Sequence, residues 1–310
     1  MDKYKEFTEE SMMAAEASSW GGQWTEDKLD AFEKYVKAYL TIMNSYRDKY
    51  NWKLIYFDGF AGSGSRIQPT DDDKAENGLF AEYNISEEDT YKGAAERVLN
   101  IAQRGFDSYY FIDKDKDSSN KLKQKLSKYE DSKDLNFINS DANEELYKLA
   151  DRMHNNKSIS SLVLLDPFGM QVDWASIENL KGTRTDLWIL IPTGVIINRL
   201  LDRTGELTHI ARLKTFFGKD EDFLKDYFYR KKQEQTLFGE INIIEKIEHP
   251  IKRIAELYIQ RLEEIFKKVT PEPLVLYNSR NTPIFHFACA SNNETAIKIA
   301  NQIIGKKQRK

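Results

Sequence analysis

A short apolar strand followed at once by a glycine-rich turn is the feature that most constrains this chain. Residues 54–57, Leu-Ile-Tyr-Phe, have the apolar and aromatic character of a buried parallel strand. The strand ends in Asp58, and residues 59–64 contain three glycines. Glycines in this position let the backbone turn tightly and let a ligand approach it closely. The segment therefore predicts a ligand-binding loop, with a tight turn that binds nothing as the alternative.

The glycine spacing excludes two common phosphate-binding patterns. A P-loop ends in Gly-Lys-Ser/Thr, and residues 59–64 contain no lysine. The dinucleotide fingerprint is G-x-G-x-x-G, whereas the spacing here is G-x-x-G-x-G. A carboxylate at the strand tip repels a pyrophosphate but suits the cationic amino-acid end of S-adenosylmethionine. The residues expected to contact that cofactor are Asp58, Gly59, Phe60, Gly62 and Gly64.

The following chain alternates between strand and helix patterns. Further strands are predicted at 108–113, 135–139, 161–165 and 186–191, with helical segments between them. Strands that alternate with helices form a largely parallel sheet, and such sheets bind ligands at the carboxyl ends of their strands. We therefore predict a Rossmann-like α/β fold with a seven-stranded, mostly parallel sheet.

The two ends of the chain complete the predicted organisation. Apolar residues recur at helical spacing from Leu29 to Met43, which predicts an N-terminal helix that starts at Thr25. Two late strands, Leu274–Tyr277 and Pro283–Ala290, are close enough to form a hairpin, and we expect the second to run antiparallel near one edge. The predicted units are an N-terminal arm and helix (1–50), a Rossmann-like core (51–203), a helical insertion (204–270), and the final strands and helix (271–310).

Acidic residues follow the second and third strands as well. Asp113 ends the second strand, where a carboxylate can accept hydrogen bonds from a ribose diol. Asp141 and Ala142 follow the third strand, near the expected position of an adenine ring. Each aspartate alone could equally cap the next helix or turn. Four predicted strands each end in an acidic residue, and these ends lie at the same edge of the sheet. This alignment favours a cofactor site.

Asp166, Pro167, Phe168 and Gly169 follow the most apolar strand and carry the strongest chemical signal. An exocyclic amine on a base is a poor nucleophile, because its lone pair is delocalised into the ring. A carboxylate and a carbonyl that accept its two N–H bonds would stabilise the positive charge that develops on the nitrogen. We therefore assign Asp166, the Pro167 carbonyl and Phe168, which could stack on the base, as candidate catalytic residues. The alternative is a plain Pro-Gly turn.

Charge and residue counts limit the remaining possibilities. The net charge is −4, so a nucleic-acid substrate would need a local basic surface. Four scattered histidines and one cysteine form no metal-binding pattern, and the single cysteine fits a reducing cytoplasm. The chain has no apolar run long enough to span a membrane. Candidate substrate-binding residues are Asn198 and Arg199, and the candidate basic surface adds Arg184, Arg203, Arg212, Lys231 and Lys232.

Several motifs together resemble a known family. The order GFAGSG, FID, SDAN and DPFG is similar to that of S-adenosylmethionine-dependent methyltransferases, and DPFG resembles the D-P-P-Y/F motif of amino-methyltransferases. The segments WTEDKL, YFDGFAGSG, YYFID, LDPFGMQVDW and TRTDLWILIPTGVIINRLL resemble the three-Cys-motif partner proteins, a likeness that covers most of residues 24–300. It implies a class I methyltransferase fold beside a cysteine-motif partner protein, often in a phage-related setting. The acidic insertion at 71–89 has no counterpart in that pattern.

The residues and the resemblance together predict an S-adenosylmethionine-dependent methyltransferase that acts on an exocyclic amine of an RNA or DNA base. That base would have to be single-stranded or flipped out of its helix. A small molecule or a protein amine is the alternative substrate and would need no basic surface. A different class of function is a catalytically degenerate methyltransferase fold that serves as a nucleic-acid-binding or scaffolding subunit.

Overall fold

The computed structural model describes residues 23–64, 92–201, 205, 207, 209–236, 239–278 and 280–308. The acidic insertion 71–89 and Arg203 lie outside these residues. The helices are α1 (Gln23–Tyr50), α2 (Ala94–Leu99), α3 (Lys116–Leu126), α4 (Ala142–Asn155), α5 (Trp174–Glu178), α6 (Asn198–Leu200), α7 (Ile210–Phe217), α8 (Glu221–Phe228), α9 (Pro250–Glu263) and α10 (Glu294–Gln308). The strands are β1 (Lys53–Asp58), β2 (Ser108–Asp113), β3 (Leu135–Asn139), β4 (Ile159–Leu165), β5 (Thr185–Ile191), β6 (Tyr229–Thr236), β7 (Gly239–Lys246), β8 (Lys268–Val269), β9 (Leu274–Tyr277) and β10 (Pro283–Ser291).

Helix α1 is the amphipathic helix that the sequence predicts. Its apolar stripe packs against the sheet, and Thr25 lies inside the helix instead of capping it. None of the described helices is both long and apolar enough to cross a membrane. The buried residues of the stripe are Leu29, Phe32, Tyr35, Val36, Tyr39, Leu40 and Met43.

The main sheet has the strand order β3-β2-β1-β4-β5-β10-β8, and β9 also pairs with β10. Strands β1 to β5 are parallel, and β10 runs antiparallel to β5, as predicted. The sheet has eight strands, not seven, because the segment before β10 forms two short strands that pair with different parts of β10. Pro271 and Pro273 separate them, and proline cannot donate to a strand ladder.

The predicted helical insertion at 204–270 also contains strands, which the sequence analysis did not predict. Strands β6 and β7 form a separate two-stranded antiparallel sheet within it, between α8 and α9. The β6 segment is so polar that it carries no strand-like apolar alternation, which is why its sequence does not reveal a strand. Register places Arg230 directly opposite Glu245, and opposite charges in that position stabilise a strand pair.

Gly194 lies where the chain leaves β5 and turns through a π-helix at Thr193–Ile197. A Cβ at this position would overlap the carbonyl oxygen of Pro283, at the start of β10. We expect Gly194→Ala to lower the free energy of unfolding by about 1–3 kcal/mol, because the backbone must shift to relieve the overlap. Denaturant unfolding would measure this. Gly305→Ala is the matched control, since a Cβ there meets nothing within 4 Å; equal stability changes in the two variants would contradict the prediction.

Candidate active site

The candidate site lies where the strand order reverses. Strand β1 pairs with β2 on one side and with β4 on the other, so the carboxyl ends of β1 and β4 border the crevice in which such sheets bind ligands. Asp58 is the last residue of β1, and Asp166 directly follows β4. The topology therefore brings the glycine loop and the Asp-Pro-Phe motif to the same edge.

Backbone hydrogen bonds fix the glycine loop against the sheet. The N–H of Gly59 donates to Leu164 at 3.0 Å, and the N–H of Ala61 donates to Ile112 at 2.9 Å, so the loop continues the pairing of β1 with both neighbours. Gly59 is required for close packing, because a Cβ there would lie 2.8 Å from Leu165 Cδ2. Gly62 has φ +61°, and a Cβ on it would meet no atom of the described residues within 4 Å. The loop thus presents bare backbone to open space, as a closely approaching ligand requires.

Asp113 holds this loop in place. Its Oδ2 accepts a 2.8 Å hydrogen bond from the Gly62 N–H, and its Oδ1 accepts one of 2.8 Å from the Asp115 N–H. Burial raises the pKa of this carboxyl above its ordinary value, and the two backbone donors oppose that rise. Each carboxylate oxygen can accept a further bond, so loop support and ribose binding are compatible.

Asp141 caps helix α4, which is the local role that the sequence left open for it. Its Oδ1 accepts a 2.8 Å hydrogen bond from the Asn143 N–H, and Ala142 is buried beside it. Asn143, which the sequence analysis did not single out, ties this helix to the chain after the Asp-Pro-Phe motif. Its amide donates to the Gln171 carbonyl at 2.9 Å and accepts from the Asp173 N–H at 2.8 Å.

Asp58 is a buried carboxyl, with only 2% of its surface exposed. Burial, and then the neighbouring Asp166 charge, raise its pKa to about 7, although the Phe60 N–H (3.3 Å) and the Tyr56 hydroxyl (3.2 Å) donate to it. Asp58 therefore supports the glycine loop by accepting a hydrogen bond from its backbone. Its carboxyl changes protonation state near neutral pH.

This pKa predicts a pH-dependent stability difference. A carboxyl whose pKa rises from 3.8 to about 7 on folding destabilises the folded protein progressively between pH 4 and pH 7. We expect Asp58→Asn to match the wild type in stability near pH 4 and to exceed it above pH 7, by at most about 4 kcal/mol. Urea unfolding of both proteins at pH 4.5 and pH 8 would test this, and an equal difference at the two pH values would contradict it.

Asp166 is bound by a lysine from the N-terminal helix, which the sequence analysis missed. Lys28 Nζ lies 2.7 Å from Oδ1 and 2.6 Å from Oδ2, and it also lies 5.4 Å from the centre of the Trp24 ring. Lys28 is only 5% exposed. Lys28 lies four residues before the buried Phe32, which puts it on the apolar stripe of α1. This spacing is the feature of the sequence that could have shown that Lys28 faces the sheet.

The other two residues of the motif differ sharply in exposure. Pro167 is buried, whereas Phe168 is 59% exposed although it is a large apolar side chain. The Phe168 N–H donates to Gln171 Oε1 at 3.0 Å, which holds the turn closed. An exposed aromatic ring on a fixed turn beside a carboxylate can stack on a planar ligand.

The members of the predicted basic surface do not all lie together. Arg212 lies near Asp173, where burial raises the pKa of the Asp173 carboxyl and the Arg212 charge opposes that rise. Arg184 precedes β5 and so lies at the amino ends of the strands, where it stacks on Trp52 at 4.6 Å and donates to the Lys157 carbonyl. Lys231 and Lys232 lie on the separate β6–β7 sheet. Asn198 binds Lys246 Nζ through its carbonyl (2.6 Å) and its Oδ1 (2.8 Å). The side chain of Arg199 lies outside the described residues.

No cluster of potential metal ligands occurs within the described ranges. Of the four histidines, His286 is buried and bonded through Nδ1 to Thr193 Oγ1 at 2.7 Å. Burial lowers the pKa of His286 to about 4, so its ring is neutral at physiological pH.

Comparisons with known proteins return distant structural likenesses. No protein-family model matches the chain, and no curated protein matches it. Protein LPL1258 of Legionella pneumophila, a DUF519 protein, is 14% identical, with a TM-score of 0.41 over 88% of this chain and 99% of that one. A conserved hypothetical protein of Streptococcus pyogenes is 11% identical, with a TM-score of 0.27 over 67% of this chain and 96% of that one. A Clostridium thermocellum protein described as a "putative rRNA-methylase" is 12% identical, with a TM-score of 0.23 over 66% of this chain and 97% of that one.

Likenesses at these scores carry no argument about function. The fold follows from the described strands: five parallel strands in the order 3-2-1-4-5, followed by an antiparallel strand inserted between β5 and the β8–β9 edge. The glycine loop and the Asp-Pro-Phe turn lie at the reversal point of that order. The chain has a Rossmann-like fold.

Proposed function

We propose that this protein binds S-adenosylmethionine and catalyses methyl transfer to an amino nitrogen held at Asp166. The observation that carries the proposal is the meeting of the open glycine loop with the Asp166-Pro167-Phe168 turn at the reversal point of the sheet. The first candidate acceptor is an exocyclic amine of an unpaired RNA or DNA base. The exposed Phe168 ring supports this acceptor, because it is available to stack on a base.

The loop after β1 fits the proposed cofactor. Gly62 leaves open space where a side chain would otherwise stand, and Asp113 fixes its N–H. In the proposal, the cofactor lies against the glycine loop, in contact with Gly59, Phe60, Gly62 and Gly64. Asp113 binds the ribose, and Asp141 with Ala142 lies beside the adenine. S-adenosylmethionine would supply a methyl group that its sulfonium already activates.

The role of the protein's own groups is to position the amine and to stabilise charge. Asp166 and the Pro167 carbonyl would accept the two N–H bonds of the amine, which directs its lone pair away from them. Asp166 would then offset the positive charge that develops on nitrogen. Both oxygens of Asp166 are occupied by Lys28, whose ammonium would oppose that charge. In the proposal the acceptor takes the place of Lys28 at Asp166, because a neighbouring ammonium would oppose the charge that develops on the acceptor nitrogen.

The Lys28–Asp166 pair also favours a second candidate acceptor, an alkyl amine. An ammonium already occupies the position in which the proposal places the reacting nitrogen, so the site is suited to that group; the bound ammonium would have to give a proton to Asp166 or to solvent before its lone pair could take the methyl group. An alkyl amine would also need no basic surface, whereas a nucleic acid would. The predicted protein partner remains part of the proposal; its contribution would be a basic surface for a nucleic-acid acceptor.

Transfer of labelled methyl from S-adenosylmethionine tests the function directly. The protein would be incubated with total RNA, DNA, protein and a pool of small amines, beside Asp166→Ala. Label in nucleic acid that disappears in the variant supports the first acceptor, and label in protein or small amines that disappears supports the second. Equal label with Asp166→Ala would contradict the assigned role of Asp166. No label in any fraction, together with no cofactor binding, would favour the scaffolding alternative.

A further inference from the structure

Lys28 lies where the proposed function places a reacting nitrogen. Its Nζ is 2.7 Å from Oδ1 and 2.6 Å from Oδ2 of Asp166, so two of its three N–H bonds donate to one carboxylate. These are its only hydrogen bonds to described residues, so the third N–H of the ammonium has no acceptor among them. An ammonium that gave up this third proton would have its lone pair directed away from Asp166, as methyl transfer to the amine requires.

The Lys28–Asp166 pair borders the ligand crevice of the sheet and is not sealed in the core. The Asp166 side chain keeps 21% of its surface exposed, and it follows β4 at the edge that also holds the glycine loop. Burial and then the Asp166 charge raise the pKa of Asp58, at the end of β1, so the two carboxyls are near neighbours. Lys28 Nζ is thus held at the carboxyl ends of β1 and β4, where a sheet of this order binds its ligands.

Other ion pairs already hold the start of helix α1. Arg97 of α2 lies 2.9 Å from Asp30, and Lys307 of α10 lies 2.7 Å from Asp27. Cations from two neighbouring helices therefore fix the first turns of α1 without Lys28. The contact of Lys28 with the carboxylate at the candidate site is free to serve a chemical role.

We propose that Lys28 is itself a methyl acceptor, so that the protein methylates its own N-terminal helix when no other amine has taken the place of Lys28. This modification rests on the proposed function and names one substrate of its second acceptor class. Nζ gives one proton to Asp166 or to solvent, and its lone pair then bonds to the methyl carbon as the S–C bond breaks and its electrons return to sulfur. S-adenosylhomocysteine leaves, one proton is released in all, and Lys28 keeps a single positive charge.

The same geometry limits the product to one methyl group. A monomethylated Nζ keeps two N–H bonds, which is the number that donates to Asp166 now. A second transfer would need the proton of one of these two bonds, and the lone pair would then face the carboxylate. The expected product is monomethyllysine at position 28.

Mass spectrometry of the full-length protein tests the modification. The mass would be measured as isolated and after incubation with S-adenosylmethionine, and peptide mapping would locate the methyl group. We expect one methyl group on Lys28, added at a rate that does not change with protein concentration, because donor site and acceptor belong to one chain. Lys37 is the matched control: it lies on the same helix with its Nζ 2.6 Å from Glu33, but it is exposed. Lys28→Arg keeps the charge and should take no methyl group at this position.

Calorimetry gives a second readout that needs no methyl transfer. S-adenosylmethionine carries a sulfonium charge that S-adenosylhomocysteine lacks, and a nearby Lys28 ammonium disfavours that charge. Lys28→Met leaves Asp166 without its counter-charge, so it should raise the affinity for S-adenosylmethionine relative to S-adenosylhomocysteine about tenfold or more. Lys37→Met should leave this ratio unchanged. Thermal unfolding would verify that every variant is folded.

Three results would overturn the proposal: equal methylation of Lys28 and Lys37, which indicates nonenzymatic transfer; an unchanged affinity ratio in Lys28→Met; or no methyl group on Lys28 while S-adenosylmethionine binds. Methyl transfer to an added acceptor, with none to Lys28, would overturn the self-methylation and leave the proposed function standing. No heat with S-adenosylmethionine would overturn both.

Discussion

Asp166→Asn is expected to reduce single-turnover methyl transfer at least about 100-fold while cofactor affinity changes less than about threefold. The amide keeps the shape of the side chain but removes the charge that offsets the developing positive nitrogen, and the loss of one such electrostatic contact costs about 10²–10³ in rate. Labelled methyl transfer and calorimetry with S-adenosylmethionine would measure the two quantities separately. A loss that appears only as weaker cofactor binding would contradict this role.

Two further variants separate catalysis from stability. Asp166→Asn leaves the Lys28 ammonium buried without its counter-charge, which can destabilise a protein by about 3–5 kcal/mol. The double variant Lys28→Met, Asp166→Asn removes both charges, so it should regain stability without regaining activity. Asp173→Asn is the matched control, because Asp173 is a similarly half-buried acid in the same connection and its side chain does not bind Lys28.

The positions of the strand-tip residues could be predicted from sequence because parallel strands fix them. Once β1 and β4 are parallel neighbours, Asp58 and Asp166 must meet at one edge. The same rule shows why Arg184 was wrongly placed: it precedes a strand, so it lies at the opposite edge. That error could have been avoided from sequence alone.

The Lys28–Asp166 contact could not be predicted with the same certainty. The two residues are 138 positions apart, and the rotation and tilt of α1 on the sheet decide whether they meet. Packing of Phe32 and Tyr35 against Trp188 sets that rotation. The β6–β7 hairpin was missed for a different reason, since its polar first strand pairs on a separate sheet and needs no apolar alternation.

Gly62→Val is expected to weaken S-adenosylmethionine binding at least about 100-fold, or to abolish it. The Gly62 Cα faces open space in the glycine loop, so a valine side chain would occupy the position proposed for the cofactor. Its φ of +61° also disfavours a β-branched residue, and strain there would loosen the N–H contact with Asp113. Isothermal titration calorimetry on the wild type and the variant would measure the change.

Gly182→Val separates steric exclusion from backbone strain. Gly182 has φ +76° and open space around it, as Gly62 has, but it lies before β5 at the amino ends of the strands. Both variants therefore carry a similar conformational penalty, and only Gly62→Val places atoms in the proposed cofactor site. We expect Gly182→Val to bind S-adenosylmethionine with nearly wild-type affinity. If the two variants lose affinity equally, strain alone explains the effect; if the wild type releases no heat with the cofactor, the glycine loop is a structural turn and the scaffolding function is favoured.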